Sequence, residues 1–186
     1  MGLWTVLLVA VLLLSACGEE QKEEGLHGHF GPGQGTPPAG PAFTTIDITK
    51  ESGSVVGKVD YDATFFATTI PPAASEEFGT LADNATPPTI VVTLIRITGR
   101  EDTPCRFQAA VLARDQDYDI LESGARENSH SLDFYQVNLK KGSQHLSLFC
   151  ATLGDDVGTA IQVTTQSAAL IKSSQVNYIL NTTRKE

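Results

Sequence analysis

The stretch Ser131–Leu153, SLDFYQVNLKKGSQHLSLFCATL, decides the fold class. Its first half, Ser131–Leu139, alternates polar and apolar residues and runs into Lys140-Lys141-Gly142. Its second half, Ser143–Leu153, places Leu146, Leu148 and Cys150 on one side. A period of two on both sides of a glycine turn predicts a β-hairpin.

The same period extends in both directions. Ile46 and Ile48 share a face in Phe43–Thr49. Val59, Tyr61, Ala63, Phe65 and Ala67 alternate with Asp60, Asp62, Thr64, Phe66 and Thr68. Thr89–Thr98, TIVVTLIRIT, is apolar on both faces as far as Arg96 and reads as a central strand. Cys105–Ala113 reads as a strand with Cys105, Phe107, Ala109 and Val111 on one side. Beyond the turn Gly154–Gly158, two more strands are expected near Ala160–Thr165 and Val176–Asn181. Ser167–Ser174 fits helix or strand. The polar, Pro-bearing stretch Pro71–Pro88 reads as a long loop, pinned by Phe78 and Leu81. Eight to ten short strands with turn signals between them predict an all-β fold: an antiparallel β-sandwich of immunoglobulin-like or jelly-roll type over residues 43–183.

The chain has 186 residues, 41% hydrophobic and 19% charged, with a formal net charge of -9. This composition is that of one ordinary globular domain after any targeting segment. The acidic balance argues against nucleic-acid partners and against a basic membrane-binding patch.

Leu3–Leu14 is apolar apart from Thr5. Twelve helical residues reach roughly 18 Å, short of a ~30 Å hydrocarbon core, and suit a signal-peptide h-region. The next residues, Leu14-Ser15-Ala16-Cys17, resemble the lipobox of bacterial lipoproteins cleaved by a type II signal peptidase, although Met1-Gly2-Leu3-Trp4 lacks that family's usual Lys or Arg. The resemblance implies a discarded signal peptide at 1–16 and a diacylglyceryl-modified, acylated Cys17 that anchors the chain to the membrane. Several acyl chains anchor stably where one is marginal. In that family, Gly18 rather than aspartate after the cysteine implies the outer membrane in a Gram-negative cell. The acidic run Glu19, Glu20, Glu23 and Glu24 resembles tethers that bring some lipoproteins to the cell surface.

Residues 17–42 read as a tether. Ten of the seventeen residues from Gly25 to Pro41 are Gly or Pro, a composition unable to bury enough apolar surface to offset ordering. With Cys17 lipidated, the resemblance leaves Cys105 and Cys150 to each other. An extracytoplasmic compartment favours a disulfide between them. It would close a loop of about 46 residues, worth roughly 4 kcal/mol in the chain-entropy model. Two buried thiols are the alternative. A metal pair lacks Cys-x-x-Cys spacing or a nearby histidine.

Catalytic signatures are absent from the sequence: no Gly-x-Ser-x-Gly elbow, Ser-x-x-Lys, His-Glu-x-x-His or phosphate-binding Gly-Lys-Ser/Thr loop. His130 and His145 are the histidines of the folded region, and either has the chemistry to serve a serine together with Asp133. Asp115, Asp117 and Asp119 open with EF-hand spacing, but Ile120 and Arg126 stand where glycine and the bidentate glutamate belong. On a strand the three would share a face at about 6.7 Å spacing, a weak calcium site with Glu122 nearby; a solvated strand end or turn is the plainer reading. His27 and His29 read as solvated tether residues, and the sequons at Asn84 and Asn181 as accidental.

No cofactor is expected. The function expected is a lipid-anchored extracytoplasmic binding or assembly module of the bacterial envelope, whose partner is an envelope protein or surface polymer. The alternatives are an envelope hydrolase with an unrecognised site and a calcium- or metal-binding surface protein.

Overall fold

A computed structural model describes residues 40–72, 75–99, 102–154 and 157–186. The described strands are β1 (Phe43–Thr49), β2 (Val55–Asp62), β3 (Phe66–Thr69), β4 (Glu77–Asp83), β5 (Ile90–Ile97), β6 (Asp119–Glu127), β7 (Asp133–Lys141), β8 (Gln144–Thr152), β9 (Gly158–Thr165) and β10 (Arg184–Lys185). Three helices join them: α1 (Asp102–Gln116), α2 (Ala168–Ile171) and α3 (Ser174–Thr182). The strands form a three-stranded sheet ordered β1-β2-β10 and a seven-stranded sheet ordered β3-β4-β5-β9-β8-β7-β6. Every described ladder is antiparallel. The fold is thus the mostly-β, antiparallel two-sheet arrangement expected from the period-two pattern.

The hairpin read from Ser131–Leu153 is β7–β8. Lys141 pairs with Gln144, leaving Gly142 and Ser143 as a two-residue loop. Gly142 takes φ 57°, which glycine permits at the first loop position. The strand β8 is covered on both faces. Leu146, Leu148 and Cys150 face α1, while Phe149 and Ala151 enter the core between the sheets. That larger core joins Ile48 of β1, Val59 of β2, Leu81 of β4, Leu94 of β5, Ile161 of β9 and Ile179 of α3.

Four expectations are corrected. Cys105–Ala113 is helical, within α1. Its buried residues Cys105, Ala109 and Leu112 recur at helical spacing, and Phe107, placed on the same side by a strand reading, is 69% exposed. Ala, Leu, Arg and Gln favour helix, Val111 is the segment's single β-branched residue, and Pro104 lies in the first turn, where a missing N–H costs nothing. Val176–Asn181 is helical too, in α3, where the Ser173 hydroxyl accepts from Val176 N (3.3 Å) and Val176, Ile179 and Leu180 are buried. Third, Pro71–Pro88 contains β4. Phe78 and Leu81 do pack down, but as strand residues, with Leu81 opposite Val92.

Fourth, the alternation from Val59 to Thr68 is broken at Asp62. Its Oδ1 accepts from both the backbone N (2.9 Å) and the hydroxyl (2.6 Å) of Thr64. The chain turns there, leaves the small sheet and enters the large one, with Phe66 buried. Close to the centre of the large sheet, Gly158 is required by contact: a Cβ there would lie 2.2 Å from the Ala151 carbonyl oxygen.

Candidate interaction edge

Strand β6, DILESGARE, ends the seven-stranded sheet. It pairs with β7 from Asp119↔Lys140 to Glu127↔Asp133, with a shift between Ile120 and Glu122. Eight of its nine residues are exposed and Arg126 is half-buried. Ile120 and Leu121 are 51% and 56% exposed. The contrast with β8, whose Leu146–Ala151 are all buried, is sharp. A strand with one neighbour presents a row of backbone N–H and C=O groups to solvent. At the other end of the sheet, β3 offers four residues against nine.

Side chains hold this edge in place on both faces. On one, Asn138 Nδ2 donates to Glu122 Oε1 (2.6 Å), while Asn138 Oδ1 accepts from Gln136 (2.8 Å) and the buried Ser147 hydroxyl (2.5 Å). Arg126 Nη2 donates to Asn177 Oδ1 of α3 (3.1 Å), and its guanidinium lies 5.9 Å from the Phe149 ring. On the other face, the Tyr135 hydroxyl donates to Ser123 Oγ (3.1 Å), and Arg106 of α1 stacks over the Tyr135 ring at 4.8 Å. A hollow of about 210 Å3 lies over Gly124, between Glu122, Gln136 and Asn138.

The connector from β6 to β7 is built on the buried Asn128. Its Oδ1 accepts from His130 N (2.9 Å) and Leu132 N (3.0 Å), and its Nδ2 donates to the carbonyls of Leu180 (2.9 Å) and Thr183 (2.6 Å). The last strand is fixed by Arg184, whose Nη1 lies 2.8 Å from Asp60 Oδ2. Burial pushes the Asp60 carboxyl up, but hydrogen bonds from Arg184 and Thr45 outweigh it, and the group sits below its ordinary range.

Cys105 and Cys150 are joined in a disulfide, with Cα atoms 5.9 Å apart. Both are buried, and the bond ties α1 to β8. Cys17, His27 and His29 lie outside the described residues. The aspartate triplet does not share a strand face as expected. Asp115 closes the last turn of α1 and pairs with Arg114 (2.5 Å), Asp117 has φ 54° in the connection, and Asp119 opens β6. The helix end and the left-handed turn separate the three, and no group of three or more metal-capable side chains occurs among the described residues.

His145 is half-buried on β8, opposite Lys140 and Thr165. His130 is exposed and shares a hollow of about 270 Å3 with Ser131 and Arg184. No hydrogen bond joins the His130 and Ser131 side chains among the described residues. The carboxylate that senses His130, Asp60, is held by Arg184 and Thr45. A larger cleft of about 560 Å3 runs beside Arg96, Phe107, Glu51 and Glu76, and its described lining contains no serine, cysteine or histidine.

No family model and no curated protein matches the chain. The fold is that of a class of antiparallel-sheet domains with known structure. It is similar to the solution structure of cyanobacterial PsbP (CyanoP) from Synechocystis sp. PCC 6803, with a TM-score of 0.55 and 11% identity over 83% of this chain and 99% of that one. At this identity the likeness is one of fold.

Proposed function

We propose that this chain is a lipid-anchored, extracytoplasmic binding or assembly module of the bacterial envelope, held to the membrane through Cys17 and docking through β6. The anchor reading rests on Leu14-Ser15-Ala16-Cys17 and the Gly/Pro-rich segment that follows. No helix among the described residues is long and apolar enough to cross a membrane. The observation that carries the docking reading is the nine-residue edge of β6, exposed and rigidly backed by Asn138, Tyr135 and Arg126. An extended segment added there would gain backbone hydrogen bonds along its length.

The test is a photoreactive residue placed at Leu121 in cells expressing the acylated protein, with exposed Lys172 as the control position. Adducts to an envelope component from Leu121, at least tenfold above those from Lys172, are expected. Equal yields from the two positions would remove β6 as the docking element. Cys17→Ser is expected to release the protein from membranes. Retention of that variant after a high-salt wash would overturn the anchor.

A further inference from the structure

We infer that the occupant of β6 is β6 of a second copy, paired antiparallel about a twofold axis through Gly124; this rests on the reading of β6 as the docking edge. In such a pairing residue i of one copy faces residue j of the other, and the charges choose the register. Centring on Ser123 sets Glu122 against Gly124, and Arg126 falls opposite the irregular stretch Asp119–Leu121. Centring on Ala125 sets Arg126 against Gly124 and leaves the carboxylates without a cation. Centring on Gly124 sets Glu122 against Arg126, and symmetry repeats the pair.

The remaining contacts suit that register. Gly124 meets Gly124 at the axis, where a Cβ finds no described atom within 4 Å, so the close approach is unobstructed. Ser123 faces Ala125 in the regular part of the strand. The charged partners are already oriented on one face. Glu122 is held through Oε1 by Asn138 and Arg126 through Nη2 by Asn177, while Glu122 Oε2 and Arg126 Nη1 have no partner among the described residues. The strand carries neither proline nor lysine, two of the usual means of blocking edge pairing. Repulsion between two acidic chains is screened beyond about 8 Å at physiological ionic strength. Anchoring both copies to one membrane raises their effective concentration without any new contact.

The experiment uses the acylated full-length protein in its own membrane. Gly124→Cys places one thiol beside its twin, so mild oxidation is expected to give a disulfide-linked dimer at least tenfold faster than Ser123→Cys or Ala125→Cys. In the Gly124→Cys background, Glu122→Arg and Arg126→Glu should each cut the dimer yield severalfold, and the two together should restore it. Equal linking from all three cysteine positions, or no rescue by the charge swap, overturns the register and the self-pairing. Adducts from Leu121 to a different envelope component, with no dimer from Gly124→Cys, would overturn the second-copy assignment and leave the docking edge standing. No adduct of either kind would remove both.

Discussion

Asn128 and Thr183 are 55 positions apart in sequence, and Asn128 Nδ2 donates to the Thr183 carbonyl at 2.6 Å. One side chain thereby ties the β6–β7 connector to the end of α3 and orders the base of the exposed edge. Asn128→Ala removes four hydrogen bonds and leaves buried backbone groups without partners. The expected loss is roughly 2–4 kcal/mol of unfolding free energy, read from urea denaturation. A change below about 0.5 kcal/mol would show that Asn128 fills space without organising the connector.

The Cys105–Cys150 bond joins α1 to the middle of the large sheet. Paired replacement by alanine is expected to lower unfolding free energy by roughly 2–4 kcal/mol. The check is the melting temperature of the double variant against the oxidised parent. Equal melting temperatures would contradict a structural role for the bond.

Asp83 is buried and accepts from Thr89 N (2.9 Å), Ile90 N (3.1 Å) and the Thr89 hydroxyl. Burial pushes its carboxyl up, but those hydrogen bonds outweigh it and hold the group below the ordinary 3.8. The folded state therefore binds this proton less readily than the unfolded chain. Its contribution is fully present above the ordinary value and is lost as pH falls through the depressed one. Asp60 behaves in the same direction. Stability should fall steeply below about pH 4, and Asp83→Asn should be weaker at neutral pH with a shallower acid limb. Parallel pH profiles for the two proteins would count against this assignment.

Gly158→Ala forces a methyl group into the Ala151 carbonyl, 2.2 Å away. The β8–β9 ladder must shift to accommodate it, at a cost of about 1–3 kcal/mol in chemical denaturation. An unchanged midpoint would mean that the ladder relaxes freely at this point.

Much of the fold was legible because period two is read locally. The β7–β8 hairpin and the burial of Phe78 and Leu81 followed from residue type and order, whereas the pairing of Cys105 with Cys150 was implied by the lipobox resemblance that set Cys17 aside. The helix α1 was not, because Cys105 and Ala109 fit both a strand face and a helix face. Exposed Phe107 and buried Leu112 separate the two readings. The β6 strand was missed for a related reason. With both faces exposed, DILESGARE carries no apolar alternation, and its strand state comes from pairing with β7. Ile120-Leu121 beside otherwise polar residues was the one local hint. The same segment attracted a calcium reading from its aspartates, which the end of α1 keeps apart.

Whether β6 is the docking edge is decided by amide hydrogen exchange over residues 119–127. Rates would be compared between the acylated protein in its native membrane and the same protein purified and dilute in detergent. Exchange across Leu121–Glu127 is expected to be at least tenfold slower in the membrane, with β8 unchanged between the two. Equal β6 rates in both states would contradict the docking reading of β6.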